Sequence, residues 1–105
     1  MSPTAARIRS LKSRIAHAEF ASDAARLVRK LGATRDVRAI AVLIELLDAE
    51  DNVAEAASRT LVRFGEAAVP ALQAYVASDG EREWLAQEAL DEIAFRDRLA
   101  QVGGF

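Results

Sequence analysis

The sequence predicts an all-α fold of about three helical hairpins, six helices in all, stacked one on the next. Three observations carry that reading. Alanine fills 23 of the 105 positions, against five glycines and two prolines, and alanine is the residue that costs least in a helix interior. A bulky apolar residue is followed by Ala at +4, an aliphatic at +8, a bulky residue at +11 and Gly at +12, first as Phe20, Ala24, Val28, Leu31 and Gly32, then as Val53, Ala57, Leu61, Phe64 and Gly65. A weaker third copy runs Arg82, Ala86, Leu90 and Ile93, with Ala94 in the glycine's place. Steps of four, four and three put such side chains on one face of a helix. Third, each glycine is followed by a second apolar segment, and tandem units of this kind bury their faces by stacking.

The elements follow in order. Helix one covers about 3–16, with Ser2 as cap, Pro3 in the first turn and a stripe of Ile8, Leu11 and Ile15. Helix two covers about 19–31 and is closed by Gly32, since glycine tolerates the left-handed conformation of a helix end. No Gly or Pro divides helices one and two, only a change of apolar phase between Ile15 and Phe20, so one long kinked helix is the alternative. Helix three, about 36–49, takes Asp36 as N-cap. Its residues Val37, Ile40, Ala41, Leu43, Ile44, Leu46 and Leu47 leave it apolar around most of its circumference, which demands cover on several sides. Helix four, about 51–64, ends at Gly65. Helix five, about 66–77, carries Val69, Ala71, Leu72, Tyr75 and Val76, with Pro70 in its first turn, where the missing N–H costs little. Helix six, about 79–100, has Ser78, Asp79 and Glu81 as capping groups. Residues 1–100 read as one domain with pairs at about 3–31, 36–64 and 66–100, and 101–105 as a frayed tail.

Charge and composition narrow the function. The formal net charge is −2, which gives no general attraction to nucleic acid or anionic lipid. The charge is uneven, however: seven bases and two acids in residues 1–30 give +5, and seven bases and fourteen acids in 31–105 give −7. Opposed ends of this kind allow self-association. The absence of cysteine removes disulfides and thiolate sites. Arg7, Arg9, Lys12 and Arg14 interrupt any leader-like apolar region, and no apolar run is long enough to span a membrane. A cytoplasmic protein is expected.

No residue pattern points to catalysis, a cofactor or a metal. His17 stands alone without a second His or a carboxylate at i+4. Glu45 with Asp48, and Glu88 with Asp91 and Glu92, fall on exposed helix stripes, and a working acid–base pair needs surroundings that separate two pKa values. The chain is expected not to be an enzyme.

The run Leu27 to Leu47, through Lys30-Leu31-Gly32, Asp36-Val37-Arg38 and Ile40-Ala41-Val42-Leu43, resembles a bacterial HEAT-like repeat of the short type found in phycobilisome lyases. The run Val53 to Leu72, with Phe64-Gly65 and Val69-Pro70-Ala71-Leu72, is similar. Such repeats carry Arg after the first apolar position of the second helix, where this chain has Ala21, Ala54 and Glu83, so an Asp/Arg ladder between repeats is not expected. Helix six reads as a terminal cap with a polar outer face.

The resemblance implies an α–α superhelix, a HEAT-like solenoid, whose second helices line a concave surface. It also implies a protein-interaction scaffold or adaptor. The lining would comprise Arg26, Arg29 and Lys30 on helix two, Asn52, Glu55, Arg59 and Arg63 on helix four, and Trp84 as an aromatic anchor on helix six. A second reading is nucleic-acid binding through the basic first pair, where each phosphate contact would make affinity salt-dependent; the lack of interleaved aromatics speaks against it. A third, also implied by the resemblance, is a tetrapyrrole-lyase-like subunit, against which stand the missing cysteine and the isolated histidine.

Overall fold

The computed structural model describes residues 3–102. They form α1 (Pro3–Ala16), α2 (Ala21–Ala33), α3 (Arg38–Leu46), α4 (Asp51–Phe64), a 3-10 turn (Gly65–Ala68), α5 (Val69–Ala77) and α6 (Glu83–Val102), with no strand among the described residues. Helices α1, α3 and α5 touch in sequence, α2, α4 and α6 do the same, and the two rows meet through the pairs α1–α2, α3–α4 and α5–α6. No comparable contact joins α1 to α6. The radius of gyration is 13.9 Å, against about 13 Å for a compact domain of this length, and the extents of 45 × 31 × 24 Å show a body drawn out along one direction.

The core lies between the rows. Val28, Leu31, Leu43, Leu47, Leu61 and Leu72 are fully buried, each contributing about 1.5–3 kcal/mol of transfer free energy. Helix α3 contacts α1, α2, α4 and α5, which is the cover its apolar circumference demands.

Several expectations need correction. The division of helices one and two is not among them: residues 17–20 separate the two, as the primary reading expects, and the single kinked helix is not formed. Phe20 is not part of the buried stripe: it is the extended N-cap of α2 (φ −116°, ψ 139°) and 63% exposed. The α2 stripe is Ala24, Leu27, Val28 and Leu31. Gly32 does not end α2, which continues through Ala33; the left-handed residue beyond it is Arg35, at φ 54°. What requires glycine at 32 is a close approach, since a Cβ there would lie 2.5 Å from Thr60 Cγ2 on α4. Gly65 does terminate its helix, at φ 64° and ψ −135°.

Asp36 caps α3 as expected, its Oδ1 accepting the Arg38 backbone N–H at 2.9 Å, but the helix starts at Arg38 and leaves Val37 63% exposed. Ser78 serves the other side of its turn: its hydroxyl donates to the Tyr75 carbonyl at 2.8 Å, closing α5 rather than opening α6. A left-handed Asp79 (φ 57°) follows, and α6 begins only at Glu83. Pro70 does sit in the first turn of α5.

The outer face of α6 is not polar throughout. With α5 it forms an open groove of about 450 Å³ lined by Val69, Val76, Leu90, Ile93 and Ala94 together with polar residues. Phe95, Leu99 and Val102 are also exposed. Residues 101 and 102 of the expected frayed tail are helical. The rest of that tail, including Phe105, and the cap residue Ser2 lie outside the described residues.

Candidate functional site on helices α2 and α4

Asn52, Glu55, Arg59 and Arg63 recur on α4 at steps of three, four and four, so the helix period alone sets them in one exposed row. The small residues between the helices let α2 approach that row closely. Arg29, Asn52, Glu55 and Arg59 line a shallow groove of about 270 Å³ floored by Ala21, Ala25 and Ala56. Next to it, Arg29, Arg35 and Arg63 surround a larger cleft of about 620 Å³ floored by Gly32, Ala33 and Phe64.

Among the described residues, none of Arg29, Arg35, Arg59 and Arg63 forms an ion pair. Four guanidinium groups outside any ion pair therefore line the two hollows of this face, with Glu55 the carboxylate beside them. Each offers a planar fork of donors that matches a carboxylate or phosphate oxygen pair.

The remaining expected lining residues are placed differently. Arg26 pairs with Asp23 at 3.3 Å within α2 and lines neither hollow. Lys30 is half-buried and also lines neither. Trp84 is 56% exposed and sits in a separate small hollow with Asp51, Glu55, Arg82 and Leu85, so Glu55 is the residue common to it and the α2–α4 groove. The basic end is partly engaged in structure as well: Lys12 Nζ lies 3.0 Å from Glu45 Oε2, tying α1 to α3. His17 Nδ1 lies 2.8 Å from the Ser13 carbonyl oxygen, finishing the last turn of α1. Among the described residues no three His, Cys, Asp or Glu side chains come together as a metal site.

Two arginines went unrecognised in the sequence. Arg35 lies in the turn after α2, outside any helical stripe, so periodicity does not reveal it. Arg82 does leave a signal, because it occupies the apolar register of the third copy. Its guanidinium donates to the Leu47 carbonyl at 2.6 Å and to the Ala49 carbonyl, and Nη2 donates to Asp51 Oδ1 at 3.0 Å. These carbonyls belong to the C-cap of α3 and to the loop just beyond it. An Asp–Arg contact between successive pairs is thus present after all, from Asp51 to Arg82.

Three ionisable groups are shifted by burial or by such contacts. The side-chain and backbone donors of Arg38 hold the Asp36 carboxyl down at about 2, and the same carboxylate raises the Arg38 guanidinium. Burial, then the hydrogen bond to Asp48, pushes the Tyr75 phenol up. None of the three lines the arginine-lined hollows.

Comparison with known proteins agrees with this architecture. A family model described as PBS lyase HEAT-like repeat matches residues 23–49, which span most of α2 and all of α3. The matched stretch contains the first of the two runs noted in the sequence. No curated protein and no solved structure gives a match.

Proposed function

Because this chain is a HEAT-like repeat protein, we propose that it is a non-enzymatic adaptor that binds a partner protein through the α2–α4 face. The three pairs would form a short α–α solenoid, with α2, α4 and α6 lining its concave side. The observation that carries the reading is the set of four arginines, Arg29, Arg35, Arg59 and Arg63, none of them in an ion pair, around two adjoining hollows to which Glu55 contributes a single carboxylate. Leaving like charges together unpaired opposes compact folding, so such a cluster on a rigid helix pair suits recognition of an acidic partner segment. The second copy of the sequence pattern, from Val53 to Leu72, supports the solenoid by its spacing. No helix of the described residues is long and apolar enough to cross a membrane, which is compatible with work in the cytoplasm.

The test is photo-crosslinking in the native extract. A photoreactive residue at Arg59 should capture a defined protein that the same residue at Ala41, exposed on α3, does not. With the photoreactive residue kept at position 59, reversal of Arg29 and Arg63 to Glu should abolish capture. Equal capture from both positions, or capture unaffected by the reversals, would sink the proposal. Nucleic-acid binding is the second reading, favoured by the same cations. Steep, salt-sensitive retention on DNA or RNA, lost in an Arg29/Arg35/Arg63 triple alanine variant, would replace the protein-partner reading with it.

A further inference from the structure

Residues 94–102, the last nine of α6, are exposed on every side. At 1.5 Å per residue they extend the helix by about 14 Å, and they carry Phe95, Leu99 and Val102 at i, i+4 and i+7, exposed by 49%, 54% and 59%. Trp84, eleven residues before Phe95 and so about three turns back, lies on the same side of the helix. A row of large apolar groups this open marks an interaction surface.

The charges along the helix indicate what covers it. Residues 83–93 carry Glu83, Glu88, Asp91 and Glu92 and no base, a net of −4. Residues 94–102 carry Arg96, Arg98 and Asp97, a net of +1. A parallel pair of such helices would set acid on acid. An antiparallel pair sets the acidic half of each on the basic half of the other. A two-fold axis passing between positions 94 and 95 places position i opposite position 189 − i, which sets Asp91 against Arg98 of a second copy, and does so twice. Asp91 and Arg98 are seven residues apart on one flank of the apolar row, as the flanking positions of a paired helix must be. Phe95 then lies next to the axis, and Val102 falls within a turn of the second copy's Trp84.

We propose that the chain forms an antiparallel two-fold dimer through α6, with Asp91 of each copy paired to Arg98 of the other. One helix pair buries less than the roughly 800 Å² per partner of a standard interface, so the dimer is a weak one that forms with rising concentration. It covers Trp84 and leaves the α2–α4 hollows open. The inference is independent of the adaptor reading, since it uses neither Arg29, Arg35, Arg59 nor Arg63.

Sedimentation equilibrium of the full chain over a concentration series tests it. The wild type should pass from monomer to dimer and no further. Asp91→Arg and Arg98→Asp should each weaken dimerisation by about tenfold or more while circular dichroism stays unchanged, because both positions are exposed. An equimolar mixture of the two variants should dimerise again, as should the Asp91→Arg/Arg98→Asp double variant. A wild type that stays monomeric throughout, growth beyond a dimer, or a mixture no better than its components would overturn the proposal.

Discussion

The Tyr75 hydroxyl donates to Asp48 Oδ1 at 2.6 Å while accepting the Arg82 backbone N–H at 2.9 Å. One phenol oxygen thereby joins the loop after α3, the body of α5 and the approach to α6. The Arg82 guanidinium closes the same junction from the other side, through the Leu47 and Ala49 carbonyls. Tyr75→Phe keeps the packing of the ring but leaves the Arg82 N–H without its acceptor. It should lower the unfolding free energy by about 1–3 kcal/mol in urea titrations. Asp48→Asn, which keeps an acceptor oxygen, should cost less.

The same phenol gives a pH dependence. Burial, followed by the bond to Asp48, raises its pKa, so the neutral form is the one the fold holds. Its contribution is complete below the ordinary phenol value of about 10 and declines as pH climbs through the higher folded value. Ultraviolet difference absorbance should show Tyr75 ionising later in the folded chain than in urea. Coincident titrations would contradict the junction.

Gly32 and Gly65 should respond to alanine for opposite reasons. At Gly32 the new methyl would meet Thr60 Cγ2 at 2.5 Å, and Thr60 cannot swing aside freely because its hydroxyl donates to the Ala56 carbonyl at 2.8 Å. Gly32→Ala should therefore destabilise the chain despite a helix-propensity gain of about 1 kcal/mol. Thr60→Ser removes the clashing methyl and keeps the hydroxyl. In that background Gly32→Ala should become neutral or stabilising by thermal melting.

At Gly65 nothing lies within 4 Å of an added Cβ, and the cost is in the backbone alone, at φ 64° and ψ −135°. Gly65→Ala should destabilise by about 1–3 kcal/mol. No compensating substitution in a neighbouring side chain should recover it.

Asp36 supplies a prediction at acid pH. Its folded pKa of about 2 lies below the ordinary carboxylate value of about 3.9, so its support for the start of α3 is present above that value. It fades as pH falls from about 4 toward 2. Carboxyl chemical shifts followed by NMR should place its midpoint well below the ordinary carboxylate value of about 3.9, and Arg38→Ala should move it upward.

How much of this was legible in the sequence can be argued from single residues. The helical stripes were readable because apolar residues at steps of three and four serve packing wherever a helix is covered, and Leu31, Leu61 and Leu72 are buried as their positions require. What the pattern does not contain is what stands opposite. Gly32 and Gly65 hold the same place in the repeat, yet one accommodates a threonine and the other a reversed backbone, a distinction set by α4 and by the turn that follows. Phe20 and Val53 also share a place, and only Val53 is buried, because Phe20 falls at the cap where α2 has not yet begun. At the candidate surface, the row Asn52, Glu55, Arg59 and Arg63 followed from the period. Arg35 did not, since its position depends on a left-handed turn.

Each helix leans chiefly on those nearest to it in the chain, and α1 makes no substantial contact with α6. Contacts of such short sequence separation close small loops, for which the entropic toll is low and folding fast, in the microsecond-to-millisecond range typical of helical chains. The same geometry lets the ends loosen without the middle. Amide hydrogen exchange should therefore be slowest in α3 and α4, and grow faster outward through α2 and α5 to the terminal helices.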